Sequence, residues 1–222
     1  MDPDSLDTAP DPRGRATAAE RRAVVLAGHR NDPETARAGM GHDDPVVRAA
    51  ALTALARCAD LRPEELRAAA SDPDATVRRR VATVAARLSA SDPRSSETTL
   101  LALLGDDDPT VVEVTAFALG ELSDATEERI GRLSEVATTH DDPLCRESAV
   151  AALGSIGDEA GRDAVLAACR DRATVRRRAV LALAAFDGPE VTAVLRELTG
   201  DRDLQVSQAA EDLLGIETGE PT

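Results

Sequence analysis

One apolar pattern recurs six times along this chain, and it limits the possible folds more than any other feature. Counting from Val47, Val77, Val111, Cys145, Val175 and Val206 as position 0, position 4 holds Ala51, Val81, Thr115, Ala149, Ala179 and Ala210. Positions 7 and 8 hold Ala54-Leu55, Val84-Ala85, Ala118-Leu119, Ala152-Leu153, Ala182-Leu183 and Leu213-Leu214. Position 11 closes the pattern with Cys58, Leu88, Leu122, Ile156 and Phe186. At 3.6 residues per turn these positions share one side of a helix, whereas a strand would throw them to both sides. The same amphipathic helix is therefore written six times, at intervals of 30, 34, 34, 30 and 31 residues.

Before each of these helices lies a second short apolar pattern. These partner segments run over 33–41, 63–70, 97–104, 127–137, 159–169 and 189–199, so each interval reads as a helical hairpin. A lone hairpin buries too little apolar surface to be stable, and stacking consecutive hairpins makes one continuous core. The turn inside the hairpin has its own chemistry. Asp44-Pro45, Asp108-Pro109 and Asp142-Pro143 set an N-capping carboxylate before a proline at the first helical position, where the missing N–H costs nothing. Asp74 and Asp203 keep the cap without the proline. Arg48, Arg78 and Arg146 follow the capping Asp by four residues, and Arg176 holds the same place in the fifth unit. Stacking is expected to pair one repeat's Asp with a neighbour's Arg in a ladder, broken at Val112 and Ser207.

These residues resemble the HEAT family, in the variety associated with phycobilisome lyases, whose units read Asp-Pro, Val-Arg, Ala-Leu-Gly and a Gly-Asp turn. The best matches are Asp142-Pro143, Cys145-Arg146, Ala152-Leu153-Gly154 and Gly157-Asp158, with Ala118-Leu119-Gly120 and Ser123-Asp124 beside them. The resemblance covers residues 17 to 216. It implies an all-α fold, a right-handed α-solenoid of about six HEAT-like hairpins, and it implies little about activity because the shared positions are those that build the stack. Thr17 to His29 reads as a capping helix before the first hairpin. Residues 1–16 and 217–222 are expected to be disordered tails, and Ser89 to Ser96 a lengthened surface connection.

Composition agrees with tightly packed helices. Trp and Tyr are absent and only Phe117 and Phe186 are aromatic, so the core must be aliphatic and rich in alanine. The formal net charge is -15 and every permanent cation is Arg, a balance that a GC-rich genome or a salty cytoplasm would each produce. That charge repels phosphate backbones and anionic lipid at long range, so neither nucleic acid nor membrane is an expected partner. No run approaches the ~20 apolar residues of a spanning helix, and the N-terminus lacks the basic-then-apolar pattern of a signal peptide. Cys58, Cys145 and Cys169 are odd in number and lack ligand spacing, which suits buried thiols in a cytoplasmic protein.

Three chemical readings compete with a binding role. His42-Asp43 and His140-Asp141 sit at equivalent turns, and the resemblance to the family of deoxyhypusine hydroxylases would give such pairs to iron. Two pairs three repeats apart with one further histidine, His29, do not supply enough converging ligands, so no metal and no cofactor is expected. Arg78-Arg79-Arg80 and Arg176-Arg177-Arg178 suggest a nucleic-acid contact, but three consecutive arginines point three ways and no base-stacking Trp or Tyr is present. Bilin attachment, implied by the lyase resemblance, finds no motif here, and no nucleophile–base spacing names a catalytic residue.

A binding surface is better motivated. The family resemblance assigns the concave side to the helix after the Asp-Pro turn, whose positions 2, 6 and 9 lie opposite the apolar stripe. Arg79, Glu113, Phe117, Glu147, Arg177 and Leu181 occupy those outward positions and are the expected contacts for an unidentified protein partner of a non-enzymatic scaffold. The alternative is a bilin-lyase-like or other HEAT-family enzyme or enzyme subunit, and after it a nucleic-acid-binding HEAT-like protein. Phe117 has two readings, an exposed contact or a residue packed between repeats. The helical phase itself is testable: Leu153→Asp puts a carboxylate on the stripe and should cost more than about 3 kcal/mol in chemical denaturation. An unchanged midpoint would mean the phase is wrong.

Overall fold

The structure, a computed structural model, describes residues 16–88 and 93–218. Of the expected tails, residues 1–15 and 219–222 lie outside the described residues, as do residues 89–92 of the expected surface connection; Ala16 is buried with its N–H on Asp44, and residues 217–218 end a helix. Among those described there are thirteen α-helices, three short 3-10 segments and no strand. The chain divides into two compact units, one ending at Leu103 and the other beginning at Leu104.

In the first unit, α1 (Ala18–Arg30), α3 (Pro45–Arg57) and α5 (Ala75–Leu88) lie side by side. Behind them run α2 (Pro33–Ala38), which a 3-10 turn over Gly39–Gly41 extends, then α4 (Pro63–Ala69) and α6 (Pro93–Leu103). The second unit repeats this design. Its row of second helices is α7 (Pro109–Gly120), α9 (Pro143–Ile156), α11 (Ala173–Ala182) and α13 (Leu204–Thr218). Its first helices are α8 (Glu127–Thr139), α10 (Arg162–Ala168) and α12 (Pro189–Leu198). The expected partner segments are all helical; only α6 starts earlier than expected, so Pro93 to Ser96 belong to a helix and not to a loop.

The caps explain why the second helices begin where they do. Asp44, Asp108 and Asp142 each accept from the backbone N–H two residues on, at 2.9, 2.9 and 2.8 Å, and proline fills the first helical position behind each. Asp74 and Asp203 make the same bond to Thr76 and Gln205. Thr17 and Glu20 close a reciprocal capping box on α1.

The stripe is the core. Val47, Val77, Val111, Cys145, Val175 and Val206 are all buried, and so are the six residues at position 4. Thr115 is the exception in kind: its hydroxyl is buried without a hydrogen-bond partner among the described residues. An alanine-lined stripe has little area to bury, so the second helices must come close. Gly28 of α1 meets Ala54 of α3, Gly120 of α7 meets Ala152 of α9, and Gly154 of α9 meets Ala182 of α11. A Cβ on Gly120 would lie 2.7 Å from the Ala152 Cα and 2.9 Å from its Cβ. Backbone cannot retreat from backbone without separating the two helices.

This corrects one expectation. Position 9 points away from the stripe of its own helix, yet Gly120 is buried at the crossing with α9, and at position 2 Ala49 is buried as well. On α7 and α9 the next second helix crosses near position 9, so Gly120 and Gly154 belong to the seam, whereas Ala184 at position 9 of the fifth unit stays exposed. Two glycines in this unit should therefore respond oppositely to a methyl group. Gly120→Ala should destabilise by about 1–3 kcal/mol. Gly131→Ala, at an exposed position of α8 with nothing within 4 Å of the added carbon, should stabilise by about 0.5–1 kcal/mol. Thermal melts of the two variants check the pair.

Candidate interaction face

What remains open on the second-helix rows is decided by where the arginines go. Arg48 of α3 donates to both oxygens of Asp72, at 2.8 Å each, while its other nitrogen holds the His42 and Asp43 carbonyls of its own turn. Arg146 does the same with Asp171 and the His140 and Asp141 carbonyls, and Arg176 with Asp201 and the Asp171 carbonyl. Each arginine thus ties its own hairpin turn to the next one through a bidentate pair, the strongest geometry that guanidinium and carboxylate can adopt.

The expected ladder exists, with a different carboxylate on each rung. The N-capping Asp is already committed to its helix. The partner is the acidic residue that opens the following turn: Asp72, Asp171 or Asp201. Asp72, Asp106 and Asp201 also accept the N–H of the capping Asp two residues on. His42 and His140 stand at this place in the first and fourth units, and there the ring Nδ1 accepts that same N–H, at 2.9 and 3.0 Å. The residue that would reach His140 from the preceding second helix is Val112, so arginine and aspartate are replaced together. The histidine pairs are turn residues. Among the described residues no three His, Cys, Asp or Glu side chains converge on a common point.

The second arginine triplet is likewise spent. Arg176 is buried on Asp201, Arg177 binds Asp203 with its Nε at 3.0 Å, and Arg178 lies 3.5 Å from Glu147. In the first unit, Arg78 holds the Asp72 carbonyl while Arg79 and Arg80 are exposed. A further arginine escaped the sequence reading altogether. Arg129 of α8 is completely buried and donates to the carbonyls of Leu119, Leu122 and Ser123, closing the C-terminal end of α7. Nothing in the local pattern separates it from the surface arginines around it.

Two of the three thiols are buried as expected, Cys145 and Cys169, while Cys58 is half-buried; the buried pair offers no nucleophile. Burial pushes Cys169 up to about 12 and Cys145 up to about 11, and the Cys145 Sγ lies 3.2 Å from the Pro109 carbonyl. Both remain protonated at neutral pH.

Against this background the apolar surface stands out. Phe117 is 60% exposed and Leu181 56%, which decides between the two readings of Phe117 in favour of an open position. The other large apolar residues exposed among the described ones are Val25, Val46, Leu144 and Leu204. All six lie on second helices or on α1, and none on a first helix. Val46 and Leu144 sit at position −1, which is 100° before position 0 and so on the same side as positions 2 and 6. Sequence reasoning stopped counting at position 0 and missed them.

The expected contacts are distributed as follows. Arg79 is exposed on α5 in the first unit. In the second unit Glu113 and Phe117 share the outer side of α7, Glu147 faces Arg178 between α9 and α11, and Arg177 is tied to Asp203. Leu181 walls a shallow pocket of about 340 Å³ with Ala151, Gly154 and Arg178.

Comparison with known proteins agrees with this architecture. A family model described as HEAT repeats matches residues 63–153 and 130–215. No curated protein matches the chain. Among solved structures, an engineered protein is similar with a TM-score of 0.59 and 23% identity, covering 83% of this chain and 97% of its own. Kap95p, in a structure describing its binding to RanGDP, is similar with a TM-score of 0.61 and 16% identity, over 88% of this chain and 32% of that one. The complex of CpcE and CpcF of phycocyanin lyase from Nostoc sp. PCC7120 is similar with a TM-score of 0.55 and 22% identity, over 82% and 76%. At these identities the likeness fixes the fold class, an all-α solenoid of helical hairpins.

The ladder predicts acid sensitivity with a defined sign. The Arg146 hydrogen bonds hold the Asp171 carboxyl below its usual range despite partial burial, and Arg176 does the same for Asp201. A carboxyl whose pKa is lowered by folding adds stability above its unfolded value, about 4, and loses it as pH falls through the folded value. The melting temperature should therefore drop steeply below about pH 4. Asp171→Asn should cost about 1.5–3 kcal/mol at pH 7 and flatten that drop. An acid profile identical in the variant would remove the ladder as its source.

Proposed function

The chain belongs to the HEAT-repeat family, and on that premise we propose that it is a non-enzymatic scaffold or adaptor that binds another protein through the open face of its second helices. The observation that carries this reading is the segregation of large exposed apolar residues. Within each unit they keep to the row of second helices: Val25 and Val46 on α1 and α3 in the first, and Phe117, Leu144, Leu181 and Leu204 on α7, α9, α11 and α13 in the second. A random scatter of exposed apolar residues needs no explanation, whereas their confinement to one row of helices in each unit is what an interface core requires.

Other observations support the same reading. Many side chains that could act chemically are committed elsewhere: Arg48, Arg146 and Arg176 to the ladder, His42 and His140 to turns, Cys145 and Cys169 to the core. A fold of this class binds a protein in Kap95p. Arg79, Glu113, Phe117, Glu147, Arg177 and Leu181 are the proposed contacts, with Phe117 and Leu181 as apolar anchors. Arg177 and Glu147 contribute less, since each already has an ionic partner in the chain. Free Cys58, Cys145 and Cys169 suit a cytoplasmic location, and no helix among the described residues is long and apolar enough to cross a membrane.

The test is a paired measurement. Phe117→Ala with Leu181→Ala should leave the stability of the protein within about 0.5 kcal/mol of the parent, because both side chains are exposed. The same variant should weaken capture of the co-purifying protein from native lysate by more than about 1 kcal/mol. An undiminished interaction would refute the assignment of this face, and a stability loss of about 3–5 kcal/mol would show that Phe117 is a packing residue.

A further inference from the structure

The open face of the second unit also has a definite chemical preference, and the inference below rests on the docking role just proposed. Phe117 is the one exposed aromatic residue among the described positions, since Phe186 is buried. On α7 it stands between Glu113, four residues before, and Glu121, four residues after. Residues four apart on a helix lie above one another with a rise of about 6 Å, so the three side chains form one line on the outer side of α7. Glu121 is exposed and Glu113 half-buried, and among the described residues neither carboxylate has an ion-pair partner.

The corresponding lines on the neighbouring helices carry no such free charge. On α9 the line reads Glu147, Ala151 and Ser155, with Glu147 facing Arg178 at 3.5 Å. On α11 it reads Arg177, Leu181 and Ala185, with Arg177 on Asp203. The one cation of these three lines, Arg177, is neutralised inside the chain, while the two carboxylates beside the aromatic ring are not. In the same unit, the pocket beside Leu181 is lined mostly by small residues, Ala151, Gly154 and Ala182 among them, with Arg178 at its edge paired to Glu147, and has room for one aliphatic side chain.

We propose that this face docks a basic, amphipathic peptide segment. An aliphatic residue of the segment packs against Phe117 or enters the pocket beside Leu181, and Lys or Arg residues flanking it bind Glu113 and Glu121. The apolar anchor supplies the localised affinity of a hot spot. The carboxylates, within a chain of net charge -15, steer a cationic partner in and repel an acidic one.

The experiment uses the full-length protein and three fluorescently labelled twelve-residue probes: one of repeating Lys-Leu-Lys-Ala, one with Glu for every Lys, and one with Ala for every Leu. Anisotropy titrations should show the first probe binding at least tenfold tighter than the Ala probe, and no binding of the Glu probe. Phe117→Ser should weaken the first probe at least tenfold, and Glu113→Gln with Glu121→Gln should weaken it similarly and reduce its salt dependence. Glu64→Gln with Glu190→Gln, exposed carboxylates on α4 and α12, should change affinity less than twofold. Melting curves of each variant verify folding. Equal losses from the two glutamate pairs, or indifference to Leu in the probe, would overturn the proposal by reducing it to unspecific attraction to an acidic protein. If capture of the native partner depends on Phe117 while the probes fail, the docking role stands and only this chemistry falls; if both fail, so does the docking role.

Discussion

An alanine-lined helix face stabilises a protein only if the backbones it lies between can nearly touch. Hydrophobic stabilisation scales with the area removed from water, and a stripe of Ala and Val offers much less area per residue than one of Leu and Phe. The shortfall is made up by density, since each close pair of helices gains many short-range contacts. That requirement explains why glycine faces alanine where α1 meets α3, where α7 meets α9 and where α9 meets α11. It also explains the near absence of aromatic residues. A large ring on the stripe would hold the rows apart, and the single buried one, Phe186, sits at the end of the pattern, beyond the crossing.

Close approach has an electrostatic consequence. Bringing hairpin turns together brings carboxylates together, in a chain that already carries an excess of them. The ladder arginines resolve this by placing one guanidinium between consecutive turns, where it satisfies carbonyls on one side and a carboxylate on the other. Cations used in this way are lost to the surface. The outer side of α7 is left acidic and apolar, although the chain has 26 arginines and Arg79 and Arg80 stay exposed on α5.

Much of the architecture was legible because its signals are local. An Asp-Pro pair caps a helix by contacts within two residues, and an apolar stripe repeats within one helix, so hairpin boundaries follow from sequence with errors of a few residues, as at α6. The misses share a different cause. The rung carboxylates, Asp72, Asp171 and Asp201, lie 24 or 25 residues from their arginines, and several acidic residues per turn compete for the role. Position 9 of α7 and α9 looked open because the angular argument treats a helix as isolated, whereas the neighbouring second helix crosses there. Phe117 and Leu181 were found by the same argument because position 6 lies clear of the crossing. Arg129 was invisible, since burial of a charge is decided by the carbonyls that α7 happens to leave at its end.

The histidine-for-aspartate exchange carries a message about ancestry. His42-Asp43-Asp44-Pro45 returns as His140-Asp141-Asp142-Pro143, and Ala75-Thr76-Val77 with its arginine triplet returns as Ala173-Thr174-Val175 with the other, each 98 residues later. In both halves a hairpin with a histidine turn comes first, hairpins with aspartate turns follow, and the third lacks the arginine, having Val112 in one case and Ser207 in the other. The chain thus reads as a three-hairpin phrase written twice, with the missing arginine as its full stop. Such a phrase is the natural quantum of growth or loss. Inserting or removing three hairpins at the Val112–His140 junction severs no arginine–aspartate rung, whereas changing the number by one or two would leave either a guanidinium opposite an imidazole or a rung aspartate opposite Val112.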